Sequence, residues 1–107
     1  GTAFSFDSCE IATINSNGNV NLWRCEDGSL IKEITFSNRA IQLQYGRGNK
    51  LGVIFENQSM IVLNPKSEQI LAEFDIEDLD EIMLSPRLDF LVGIDENGLH
   101  QLYQINY

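Results

Sequence analysis

The stretch Asn17-Gly18-Asn19-Val20-Asn21-Leu22-Trp23 decides the fold, because its outline returns at a spacing of 40 residues. Gly18, Gln58 and Gly98 fall in one column, and five residues on stand Trp23, Leu63 and Tyr103. Ahead of them lie Ile14, Ile54 and Ile94, then Ile11, Leu51 and Leu91, while Asn17, Asn57 and Asn97 share a column of their own. Asn and Gly both tolerate positive φ, which a tight hairpin turn of the primed type requires, and strand-like residues flank the pair on either side. Each of the three segments therefore reads as the turn and return strand of a hairpin.

Outward from this hairpin, the first unit begins with Ala3-Phe4-Ser5-Phe6, reverses at Asp7-Ser8 and resumes at Glu10-Ile11-Ala12-Thr13-Ile14. Asp27-Gly28 marks a second reversal before a fourth strand, Leu30-Ile31-Lys32-Glu33-Ile34. The second unit repeats this order from Ile41, with Gly46-Arg47-Gly48-Asn49 and Asn64-Pro65 as its breaks, and the third opens at Glu81 with Ser85-Pro86 as its first break. No apolar periodicity at three and four residues is sustained, so the chain is predicted all-β. The units span about 3–37, 40–77 and 80–107 and give eleven strands, one short of three sets of four. Four short antiparallel strands repeating every ~40 residues are the signature of β-propeller blades, each burying its faces against its neighbours. Closure takes at least about four blades. An incomplete ring is expected, completed by further blades or by another chain. Its outer faces, with side chains such as Phe4 and Leu102, are expected to promote association.

Composition narrows the function. The net charge is −9, and residues 67–107 carry ten carboxylates against a single basic residue, Arg87. Nucleic acid and anionic lipid demand clustered Lys and Arg, so neither is an expected partner. The longest apolar runs, such as Val53-Ile54-Phe55, are strand-sized and far from the ~20 residues that cross a bilayer. The N-terminal residues do not have the pattern of a secretory leader. Cys9 and Cys25 fall in turns two strands apart, about 9–10 Å at ~4.8 Å per strand, too far to bridge. Thiols in a reducing, cytoplasmic setting are the expectation.

The hairpin residues also carry a family likeness. Asn17-Gly18-Asn19-Val20-Asn21-Leu22-Trp23 resembles the turn and third strand of a WD-repeat blade, where Asp-Gly precedes aliphatic, spacer, aliphatic and Trp. Ser85-Pro86 stands where such repeats place Ser-Pro after the innermost strand. The likeness covers essentially the whole chain and departs from the family in named places. Asn replaces the turn Asp in all three units, Trp survives only as Trp23, and Arg24, Asn64 and Gln104 stand where an Asp closes the motif. The Gly-His pair that opens many such repeats is absent, so the resemblance does not carry their His-to-Asp network. It implies a rigid platform for protein partners.

On this reading Asn17, Gly18, Trp23, Asn57, Leu63, Asn97, Gly98 and Tyr103 are structural, with Trp23 packed between blades. The run Glu73-Phe74-Asp75-Ile76-Glu77-Asp78-Leu79-Asp80-Glu81 holds six carboxylates, Glu73, Asp75, Glu77, Asp78, Asp80 and Glu81, and is the candidate surface for a basic partner. Solvation alone also accounts for such a run. It lacks the ligand spacing of a calcium loop. His100 has no metal-spaced companion and no nucleophile partner, and no phosphate-cradling glycine motif is present. No cofactor and no catalytic residue is assigned. The function expected is a non-catalytic protein-interaction scaffold; the alternative is a piece of an enzymatic or ligand-binding propeller whose active residues lie outside this chain.

Overall fold

The computed structural model describes residues 2–4, 10–76, 79 and 81–107, with the side chain of Phe4 also outside the description. Its described residues form eleven strands and no helix: β1 (Thr2–Phe4), β2 (Glu10–Ile14), β3 (Val20–Arg24), β4 (Leu30–Ile34), β5 (Ala40–Gly46), β6 (Lys50–Phe55), β7 (Ser59–Leu63), β8 (Ile70–Asp75), β9 (Glu81–Leu84), β10 (Phe90–Ile94) and β11 (His100–Gln104). They make three antiparallel meanders, β1-β2-β3-β4, β5-β6-β7-β8 and β9-β10-β11.

The repeat seen in the sequence is reproduced in the pairing. Ile11 faces Trp23, Leu51 faces Leu63 and Leu91 faces Tyr103, while Ile14, Ile54 and Ile94 face Val20, Met60 and His100. Even the irregularities recur, since the β3–β4 and β7–β8 ladders both shift register, at Leu22/Trp23 and at Val62/Leu63. A register slip of one residue would turn each apolar set to the wrong face, so an identical register in three sheets reflects one repeated pattern. The first strand is the exception. Gly52 faces Gln44, whereas Ala12 faces Ala3 and Val92 faces Met83, so β5 runs one residue ahead of the repeat. A bulge between Ala40 and Gln42 marks the displaced strand, and the β5–β6 turn contains two consecutive positive-φ residues, Gly48 and Asn49.

Positive φ repeats as well. Gly18, Gln58 and Gly98 have φ of 80°, 66° and 78°, and Gly28 and Glu68 have 71° and 62°. The turn needs the left-handed conformation whichever residue occupies it, and Gln58 meets that need at a steric cost that glycine avoids. Gln58 is exposed, so Gln58→Gly is expected to stabilise the protein by about 0.5–1 kcal/mol. Chemical denaturation checks this, and a loss of stability would show that the side chain makes a favourable contact.

The sheets stack face to face in two apolar layers. One joins Ala12, Val20, Leu22 and Ile34 of the first sheet to Leu43, Leu51, Val53, Ile61 and Leu63 of the second. The other joins Ile54, Met60 and Val62 to Leu91, Leu88 and Ile105. The second sheet is covered on both sides, which explains the unbroken apolar run Met60-Ile61-Val62-Leu63 in β7. In β3, by contrast, Val20 and Leu22 are buried while Asn21 and Trp23 are half-buried. Trp23 thus lies on the face turned away from the second sheet, its indole N–H donating to Thr13 Oγ1 at 2.9 Å, and Leu22 takes the interior position.

Leu88 locks the second layer together. It sits in the β9–β10 turn at φ 58°, fully buried, and its side chain fills the space where a Cβ on Gly46 would lie 2.6 Å from its Cγ. The Ser85 hydroxyl accepts from the Asp89 and Phe90 amides, and the Leu88 amide donates to the Ser85 carbonyl at 2.9 Å, closing the turn. Residues 105–107 brace the same junction. Ile105 is buried, the Tyr107 hydroxyl donates to the Leu88 carbonyl, and the Lys50 ammonium lies 4.2 Å from the Tyr107 ring centroid. Burial and the neighbouring Asp89 carboxylate push the Tyr107 phenol up to about 12, keeping it a hydrogen-bond donor.

Candidate partner-binding surface

The Asn-containing turns are built from their side chains. Asn15 Oδ1 accepts from the Asn17 and Asn19 amides, and Asp95 Oδ1 accepts from the Asn97 and Leu99 amides. The corresponding position in the second unit is Phe55, which has no such acceptor. Asn57 Oδ1 takes over there, accepting from the Ser59 amide and hydroxyl. Asn17 and Asn97 contribute backbone amides to their turns, so the organising residues in those units are Asn15 and Asp95, two positions upstream. Their bonds to the Asn17 and Asn97 amides, two residues on, mark them as Asx turns.

The first two turns also receive the connection leading to the next sheet. The Ala40 amide donates to the Gly18 carbonyl at 2.9 Å, and the Ile76 amide donates to the Gln58 carbonyl at 2.9 Å. Arg39 Nη2 donates to the Ser16 carbonyl at 3.0 Å. The acidic connection after β8 is therefore tied to the rim that carries the Asn57 turn.

Within that connection the apolar residues are anchored and the described carboxylates are outward. Ile76 is buried, and Leu79 packs against Gly93, where a Cβ would lie 2.5 Å from Leu79 Cδ1. The Leu79 amide donates to the Ile76 carbonyl at 3.1 Å. Glu73 and Asp75, in β8, and Glu81, at the start of β9, are exposed. Glu77, Asp78 and Asp80 lie outside the described residues.

Beside Glu73 and Asp75 opens a cleft of ≈ 470 Å³ between the edges of the second and third sheets. Ala72, Phe74 and Ile76 form one wall, and Leu91, Tyr103 and Ile105 form the other. Glu73 and Asp75 are the carboxylates among its lining residues. Sequence reading missed this cleft because it joins residues of separate strands across two sheets.

The paired structural positions diverge in exposure. Leu63 is 1% exposed, Trp23 is half-buried and Tyr103 is 43% exposed, its hydroxyl bonded to Gln101 Oε1. Cys25 is half-buried in the β3–β4 turn, whereas Cys9 lies outside the described residues. His100 is exposed on β11. Among the described residues no three His, Cys, Asp or Glu side chains converge as a metal centre, and no helix is long and apolar enough to cross a membrane. At the interface of the first two sheets, burial, with the Glu10 carboxylate beside it, pushes the Tyr45 phenol well above its ordinary value. Neither a protein-family model nor a curated protein matches this chain.

Proposed function

We propose that this chain is a segment of a WD-repeat-like β-propeller acting as a non-catalytic scaffold for protein partners. The observation that carries the reading is the stacking of three sheets in one repeated register, with the turn and the outgoing connection bonded together along one rim. A stack of this kind is stiff, because every sheet-to-sheet layer is apolar and interlocked. Rim loops on a stiff base change little on docking, which lowers the entropic cost of recognition. Further sheets, or a second chain, complete the ring in this reading, and the partner is a protein with a basic surface.

The acidic connection supplies the attraction. Exposed like charges raise the local concentration of a cationic partner over a screening length of ~8 Å at physiological ionic strength. Lysine in place of Glu77, Asp78 and Asp80 together is expected to slow association with a lysine-rich peptide at low salt. Near 1 M salt, where screening shortens to ~3 Å, the same variant should match the parent. Stopped-flow association measured at both salts checks this. Equal rates at low salt would leave the carboxylates with a solubilising role alone.

A further inference from the structure

Two arginines from one column of the repeat meet at one pocket. Arg47 and Arg87 stand 40 residues apart in the sequence, in the β5–β6 and β9–β10 turns. Together they line a shallow pocket of ≈ 280 Å³ with Ser85, Pro86, Asp89 and Phe90. Because the strands are antiparallel, these two turns lie at the ends of β6 and β10 away from the Asn57 and Asn97 turns. The pocket is therefore on the rim opposite the acidic connection.

Tertiary contacts hold the two turns against each other. The Arg47 amide donates to the Pro86 carbonyl at 3.2 Å, Gln44 Nε2 donates to the Ser85 carbonyl at 3.1 Å, and the buried Leu88 side chain fills the socket at Gly46. The turns are thus set before a ligand arrives, which lowers the cost of binding. Asp89 is the carboxylate among the lining residues, and the Lys50 ammonium lies 3.8 Å from it. Lys50 offsets that charge and leaves the pocket positive. Among the described residues no carboxylate pairs with Arg87, which is exposed. Arg47 has other contacts in the fold, and the five donors of a guanidinium let it keep them while it faces a ligand.

The arrangement selects the anion. One guanidinium fork matches the two oxygens of a carboxylate, whereas two forks from separate turns match an anion with three terminal oxygens and nearly two charges, a phosphate monoester. A nucleic acid offers only singly charged phosphodiesters, and a chain of net charge −9 repels a polyanion. Phe90, 43% exposed, and Pro86 add an apolar wall beside the charged groups, which suits a peptide side chain. We propose that Arg47 and Arg87 bind a phosphorylated serine or threonine of a partner protein, whose neighbouring apolar residue lies on Phe90 and Pro86. This site takes the charge opposite to that taken by the acidic rim and works independently of it.

The probe is a synthetic peptide, acetyl-Gly-Ser-Leu-Gly amide with its serine phosphorylated. It is titrated at low salt into the full 107-residue chain, with NMR shifts read at the arginine Nε–H groups and the backbone amides. Shifts are expected at Arg47, Ser85, Arg87 and Phe90, while the Asn57 turn stays unchanged. Arg47→Ala and Arg87→Ala should each weaken binding by about tenfold or more, the loss of a charge-assisted pair. Arg87→Lys should weaken it by about threefold or more, because an ammonium has no fork. Asp89→Asn should tighten it by about twofold or more, because it removes the opposing carboxylate. Unchanged amide shifts in β6 and β10 establish that each variant is folded.

Equal binding by the unphosphorylated peptide, or unchanged binding by the Arg87→Ala protein, would overturn the proposal. So would shifts confined to the Asn57 turn or to the cleft beside Tyr103. A peptide with glutamate in place of the phosphoserine that binds equally well would overturn phosphate recognition in favour of a simple carboxylate. A thymidine oligonucleotide that binds as tightly as the phosphopeptide would overturn the peptide assignment in favour of nucleic acid, and inorganic phosphate that does so would remove the role of the Phe90 wall.

Discussion

Leu88→Ala is expected to destabilise the protein by about 3–5 kcal/mol, the range for a fully buried leucine whose surroundings cannot collapse. The surroundings here are the backbone of Gly46 and the Gly52 region of the second sheet, where a strand ladder on either side prevents closure of the void. Gly46→Ala acts on the same contact from the other side. Its new Cβ would lie 2.6 Å from Leu88 Cγ and 2.8 Å from Leu88 Cδ1, so a cost of about 1–3 kcal/mol is expected from overpacking. The double variant should be less destabilised than the sum of the two, by about 1 kcal/mol or more, because alanine at 88 vacates the space that the added methyl needs. Denaturant melts of the four proteins in the cycle measure this. Additive effects would show that Leu88 and Gly46 do not share a packing site.

Gly18→Ala is the second large effect. Two costs combine, the left-handed backbone at φ 80° and a Cβ placed 2.4 Å from Arg39 Cγ and 3.0 Å from Arg39 Cα. Arg39 is poorly able to retreat, since its guanidinium donates to the Ser16 carbonyl and the following amide, of Ala40, donates to the Gly18 carbonyl. Strain of about 1–2 kcal/mol and collision of about 1–3 kcal/mol give an expected loss of roughly 2–5 kcal/mol. Gly98→Ala isolates the first cost. It has φ 78° and nothing within 4 Å of an added Cβ, so about 1–2 kcal/mol is expected. Equal losses at the two sites, read by the same melts, would mean that the connection at Arg39 moves aside freely.

The candidate surface was half visible in the sequence. The run of carboxylates is contiguous and needs no fold to be noticed. What Glu73 and Asp75 border is not contiguous: the cleft draws on β8, Leu91 and the residues from Tyr103 to Asn106, brought together only when the third sheet stacks on the second.

By itself the sequence determined the all-β class, the 40-residue period and the hairpin register, because tight turns and apolar columns are local properties with one geometric solution. Only the tertiary structure decided which columns are interior. Leu63 and Tyr103 hold the same place in their sheets, yet one is 1% and the other 43% exposed, because Leu63 packs into the closed layer against the first sheet while Tyr103 borders the open cleft beside the second. Tertiary contact also turned Leu88 from a turn residue into a core residue and set β5 one residue ahead of the repeat. Both follow from packing: a turn side chain becomes core when a neighbouring sheet offers a glycine-lined socket, and strand registers adjust to the neighbours they must match.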